Sequence, residues 1–128
     1  CSSDLRGRLE EFRRLREVHG EALEEAGRRH AGLGLILARL CKRAGELEAA
    51  YRLALHLSEH RPDQAADCFE LVLIHEEHEL RDYARAAAHC ERYLEQARRR
   101  PDADALRERL AGRLERLTAK LRRQQPPE

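Results

Sequence analysis

Gly45-Glu46-Leu47-Glu48-Ala49-Ala50 is answered further along the chain by Arg81-Asp82-Tyr83-Ala84-Arg85-Ala86, with Ala50 and Ala86 36 residues apart. Each stretch follows a short break and opens an apolar stripe at helical spacing. Each therefore reads as the turn of a helical hairpin running into its second helix. Gly45 suits the left-handed conformation that closes a helix. Upstream, Leu37-Ala38 and Cys41 of the first unit correspond to Leu73-Ile74 and Glu77 of the second, and Pro62 and Pro101 close the two units.

Outward from these turns the spacing predicts helices over about 46–60 (Leu47, Ala50, Tyr51, Ala54, Leu57), about 63–79 (Ala65, Cys68, Phe69, Val72, then His75 or Glu76) and about 82–99 (Tyr83, Ala86, Ala87, Cys90, Leu94, Ala97). A last helix over about 104–123 is striped by Leu106, Leu110, Leu114, Leu117 and Leu121, and residues 124–128 form a tail. At the other end, Ser2, Ser3 and Asp4 offer N-cap side chains to a first helix over about 3–19, with Leu5, Leu9, Phe12 and Leu15 or Arg16 in its stripe. The stripe resumes in phase at Leu23, Ala26, His30, Leu33, Leu37, Leu40 and Ala44, with a break expected near Gly20. Gly27, Gly32 and Gly34 each weaken a helix by up to about 1 kcal/mol relative to Ala, so a close approach of helices is expected there.

Composition agrees with an all-α chain. Charged residues make up 38% of the 128 and aromatics 4%, with no Trp, Met or Asn. Leu, Ala, Arg and Glu dominate, all strong helix formers, while Val, Ile and Thr are scarce. No segment alternates apolar and polar residues between hairpin turns as strands do. A net charge of +1 supplies no global field to draw the chain onto nucleic acid or an anionic membrane. No apolar run approaches the roughly 20 residues that span a bilayer. Cys41, Cys68 and Cys90 fall on apolar helix faces and read as buried free thiols, which favours a reducing, cytoplasmic compartment. The opening Cys1-Ser2-Ser3-Asp4 supports an alternative, since it resembles a mature bacterial lipoprotein anchored to a membrane through Cys1.

The paired units resemble the tetratricopeptide repeat, whose motif sets a Leu-small pair in its first helix, Gly-x-aromatic-x-x-Ala at its turn and Pro at its end. Here the first unit has Leu37-Ala38, Gly45-x-Leu47-x-x-Ala50 and Pro62; the second departs from the motif at Ile74, Arg81 and a late Pro101. The resemblance implies antiparallel helical hairpins, five or six helices in all, in one domain over about 1–123. It has repeat-like units over about 31–62 and 63–101 and a capping helix over about 104–123. It also implies a groove lined by the first helix of each unit. Carried onto this chain, that groove presents Arg39, Lys42 and Arg43 from one unit and Leu71, His75, His78 and Glu79 from the next. Its charge suits an acidic or C-terminal peptide. The Asn-containing carboxylate clamp of the family's chaperone-binding members cannot be assembled, because the chain has no Asn. A plain bundle of five or six helices is the structural alternative.

No residue set points to catalysis. There is no nucleophile elbow, phosphate loop or H-E-x-x-H motif, the sole Thr is Thr118, and Ser occurs only at Ser2, Ser3 and Ser58. His56 and His60, with Glu59 beside them, and His75-Glu76-Glu77-His78 place histidine pairs one turn apart, the spacing a transition metal needs. They read first as surface and boundary histidines, so no metal or other cofactor is expected. Arg98-Arg99-Arg100 and Arg122-Arg123 sit where cations complement a helix C-terminus, and no aromatic platform accompanies them for nucleic acid. The expected function is a non-enzymatic adaptor or scaffold whose groove takes a peptide or helix of a partner protein. Two alternatives stand beside it: a bundle assembling with itself or a partner through the Leu5–Leu15 or Leu106–Leu121 stripe, and a metal-binding helical bundle.

Overall fold

The computed structural model describes residues 2–125, with side chains from Arg6 onward. Cys1, the N-cap side chains of Ser2, Ser3 and Asp4, the Leu5 side chain and the last three tail residues lie outside the described set. Among the described residues there are six α-helices and no strand: α1 (Ser2–Arg29), α2 (Ala31–Arg43), α3 (Leu47–His60), α4 (Asp67–Ile74), α5 (Tyr83–Arg98) and α6 (Asp104–Gln124). A π-helical turn, His75–Glu79, continues α4. Neighbouring helices pack as antiparallel pairs. The chain divides into two compact units, Cys1–Leu71 and Val72–Glu128.

In the first unit, α2 packs against both α1 and α3. The break expected near Gly20 is not where the chain reverses. The helix does break beside Gly20, at His19, whose backbone is non-helical (φ −122°, ψ 20°), but the helical path continues beyond this kink to Arg29, and the reversal comes at His30, whose extended backbone (φ −124°, ψ 105°) starts α2. Gly27 and Gly34 flank this corner and explain its position. A Cβ added at Gly34 would lie 2.5 Å from the Gly27 carbonyl oxygen and 2.8 Å from Leu57 Cδ1, so α1 and α2 meet backbone to backbone. Gly20 and Gly32 show no such contact, since a Cβ on either meets nothing within 4 Å. Around the crossing Phe12, Leu37, Ala38, Cys41, Ala49, Ala50 and Leu53 form a buried cluster, with Leu23, Leu40 and Leu71 half-buried against it. Each fully buried Leu contributes about 2 kcal/mol. Polar contacts close the rim: Arg13 Nε donates to the Ala44 carbonyl at 3.0 Å. Arg16 pairs with Glu46 and, at 3.4 Å, with Glu24, which also takes Arg52 at 2.9 Å. Between Arg16, Arg52 and the His19 bend lies an open cleft of about 740 Å³.

In the second unit α5 packs on α6 and on the π turn. Cys90 Sγ donates to the Leu110 carbonyl at 3.2 Å, and Leu110 and Leu117 are fully buried. Arg107 donates to the carbonyls of Ala97 and Arg100, at 3.0 and 2.6 Å, satisfying the open end of α5. Helix α4 was expected from Asp63 and begins at Asp67. Tight three-residue bonds, Gln64 N–H to Arg61 O and Cys68 N–H to Ala65 O, carry the chain past Pro62 first.

The turns ending α2 and the π helix share one backbone path. Ala44 and Leu80 are right-handed helical, and Glu46 (φ −89°, ψ 71°) matches Asp82 (φ −97°, ψ 81°). Between them Gly45 (φ 81°) and Arg81 (φ 52°) are left-handed, the two positive-φ residues among those described. The first turn is a Schellman closure, with Glu46 N–H on Cys41 O at 2.8 Å and Gly45 N–H on Lys42 O at 3.1 Å. The second reaches one residue further back, Asp82 N–H bonding Glu76 O at 2.9 Å. The π turn thus accommodates one extra residue, and the correspondence upstream of it shifts. Upstream of the two turns, Gly34, Leu37, Ala38 and Cys41 are buried on α2, and Phe69, Val72, Leu73 and Glu76 are buried on α4 and the π turn, 35 residues further on. Beyond the turn, buried Ala50, Leu53, Ala54 and Leu57 match buried Ala86, His89, Cys90 and Tyr93 at 36.

Candidate partner-binding surface

Four of the seven groove residues inferred from sequence lie in the first unit, and three lie on the π turn of the second. Helix α2 carries Arg39, Lys42 and Arg43, all exposed. Arg39 reaches Asp67 at 2.9 Å in a solvent-exposed pair, while Lys42 and Arg43 have no ion-pair partner among the described residues. Leu71 is half-buried against the core cluster, so it supports that unit more than it lines a surface. On the π turn His75 is half-buried, His78 and Glu79 are exposed, and the His78 ring lies 3.9 Å from Glu77.

The same outer face of α2 carries apolar residues absent from the inferred set. At 100° per residue, Gly32, Ile36, Arg39 and Arg43 stack at intervals of four, three and four, with Leu33 and Leu40 beside them. Ile36 is 55% exposed and Leu33 38%, and Leu40 is half-buried at the end of the strip. Arg39, Lys42 and Arg43 make its C-terminal end basic. The signal was in the sequence: residues 31–38 are apolar without interruption, more than one core-facing stripe requires.

The second unit buries two adjacent carboxylates that the sequence reading missed as a pair. Its one hint was the choice between His75 and Glu76 in the stripe. Glu76 is fully buried; His89 Nδ1 donates to its two oxygens at 2.8 and 2.7 Å, and Arg85 approaches at 3.2 Å. Glu77 turns toward α6, where Arg113 at 3.1 Å and Lys120 at 2.5 Å hold it. Burial pushes the Glu77 carboxyl up, but Lys120, then His78 and Arg113, hold it below its ordinary value. The Lys120 ammonium also lies 5.1 Å from the Tyr83 ring centroid. Glu76 is held by His89 and Arg85 and Glu77 by Arg113 and Lys120, which suits bracing of the π turn, α5 and α6.

His56 and His60 stack with ring centroids 4.3 Å apart, and burial, then His60, depresses His56. No group of three or more His, Cys, Asp or Glu that could hold a metal occurs among the described residues. Cys41, Cys68 and Cys90 are buried free thiols, each pushed up to about 11 chiefly by burial. No described helix is long and apolar enough to cross a membrane. Comparison with protein-family models, with curated proteins and with solved structures finds no match for this chain.

Proposed function

We propose that the chain is a non-enzymatic binding module, a short tetratricopeptide-like stack of helical hairpins that docks an acidic segment of a partner protein. The observation that carries this reading is the outer face of α2, where Lys42 and Arg43 stand exposed, with no ion-pair partner among the described residues, beside exposed Leu33 and Ile36. An exposed apolar strip rimmed by charge is a common mark of a protein interaction site. The recurring left-handed turn, at Gly45 and again at Arg81, supports the repeat-like reading. The buried free thiols suit a reducing compartment such as the cytoplasm.

Affinity capture from cells that express the protein tests this, with wild type beside Arg39→Glu/Arg43→Glu and bound proteins identified by mass spectrometry. The reading expects a partner recovered by wild type and lost on charge reversal. Equal recovery by both would refute a role for this face. A second reading, self-assembly, is favoured by one observation: Leu15 and Val18 on α1 are 49% and 75% exposed. It does not extend to the α6 stripe, whose Leu110 and Leu117 are fully buried within the second unit. Sedimentation of Val18→Glu separates the two, since only self-assembly predicts a wild-type dimer that this change dissociates.

A further inference from the structure

We infer that the segment bound by this face is an amphipathic α-helix with carboxylates along one edge, lying over Gly32, Leu33, Ile36 and Leu40 and pairing with Arg39 and Arg43. This rests on the binding-module reading and specifies the partner's form and chemistry. Three observations on α2 converge.

The helix is apolar without a break from Ala31 to Ala38, yet α1 and α3 cover one side of it. A helix apolar around most of its circumference is ordinarily covered on both sides. Here Ile36 and Leu33 remain outside.

Packing among the described residues does not require glycine at position 32. Gly27 and Gly34 are glycines because two helix backbones touch there, whereas a Cβ on Gly32 meets nothing within 4 Å. A glycine beside Ile36 on the open face permits the same close backbone approach from outside that Gly27 and Gly34 permit inside. From Gly32 to Arg43 the face is about 16 Å long, some three helical turns.

Charge decides the occupant. The cations crowd the C-terminal end of the strip, and that end already accepts a carboxylate, since Asp67 pairs with Arg39. That pair is exposed on both sides and contributes little, so an incoming carboxylate exchanges with it readily. A second copy of the chain fits poorly. Packed face to face with its axes parallel, it sets cations against cations; packed antiparallel, it sets cations over the apolar end around Gly32 and Leu33.

The test uses the full chain and a fluorescein-labelled 16-residue peptide, helix-stabilised, with Leu on one face and Glu along one edge. One control replaces Glu by Lys, and another carries two central prolines that forbid the helix. By fluorescence anisotropy at low salt, the helical acidic peptide should bind and both controls should not. Ile36→Glu and Gly32→Ala should each weaken binding at least tenfold, and Gly32→Ala should raise the melting temperature, so its loss of binding is not unfolding. If the acidic peptides bind with sensitivity to Arg39→Glu/Arg43→Glu but indifference to prolines, Gly32→Ala and Ile36→Glu, the helical partner is overturned and the binding-module reading survives. No charge-sensitive binding by either acidic peptide overturns both. A wild-type dimer that Ile36→Glu dissociates assigns the face to a second copy and overturns the helical partner.

Discussion

Arg81 is the residue whose backbone least suits its side chain. Its φ of 52° lies in the left-handed region, where a Cβ crowds the following carbonyl at about 1 kcal/mol or more. Gly45 occupies the equivalent turn without that strain. Arg81→Gly should therefore stabilise the chain by about 0.5–1 kcal/mol, and Gly45→Ala should destabilise it by about 1 kcal/mol, both read from urea midpoints. A sequence shows which residue stands at a turn; it does not show that a neighbouring π helix forces a long side chain into glycine's conformation. Glu77 carries the second residue-scale consequence. Folding holds its carboxyl below the ordinary 4.5, so its contribution is present above that pH and is lost as pH falls through the lowered value. Glu77→Gln should cost about 2 kcal/mol at pH 7 and progressively less as pH falls below the ordinary carboxylate range, because Arg113 and Lys120 lose a charged partner only where Glu77 is ionised. An equal cost across that range of pH would mean that the ion pairs contribute nothing.

At the scale of helices, three of the six (α3, α5 and α6) were legible almost to the residue, because Leu and Ala recur at helical spacing between strong punctuation. Helix α3 was expected over about 46–60 and spans Leu47–His60, and α6 was expected over about 104–123 and spans Asp104–Gln124. The failures have physical causes. The break expected near Gly20 is present as the non-helical kink at His19, but the chain does not reverse at that kink. The reversal sits at His30 because Gly27 and Gly34 must touch there, and a contact between helices leaves no local mark on sequence. Gly34→Ala should consequently cost about 2 kcal/mol even after its gain in helix propensity, since the new methyl meets the Gly27 carbonyl. Gly27→Ala should cost less than Gly34→Ala, because its methyl meets the side-chain ends of Leu37 and Leu53 at 3.1 Å and the Gly34 Cα only at 3.3 Å. Thermal melts of the two variants check the order. The π turn was equally hidden: one extra residue is visible only as a change of spacing from 36 to 35, and Ala- and Leu-rich helices align almost as well at either.

For the molecule as a whole, the all-α architecture and the antiparallel pairing follow from composition, periodicity and short turns. The basic part of the candidate surface was readable as Arg39, Lys42 and Arg43. Its apolar part was not, because Leu33 and Leu40 fall into the same seam as Leu37 when α1 and α2 are read as one continuous stripe. Once the chain reverses at His30, the face of α2 that carries Leu33 and Ile36 stands outside its own unit. The Glu76–His89 and Glu77–Lys120 contacts join residues 13 and 43 positions apart and could not be read from local spacing.

The central claim is that the outer face of α2 binds another protein. The most direct measurement is the backbone amide NMR footprint of the captured partner, or of its acidic segment, on the isotopically labelled full chain. The account predicts shifts concentrated from Gly32 to Arg43 and absent from α6. Shifts confined to the Leu15–Val18 region of α1 or to α6, with α2 unmoved, would contradict it.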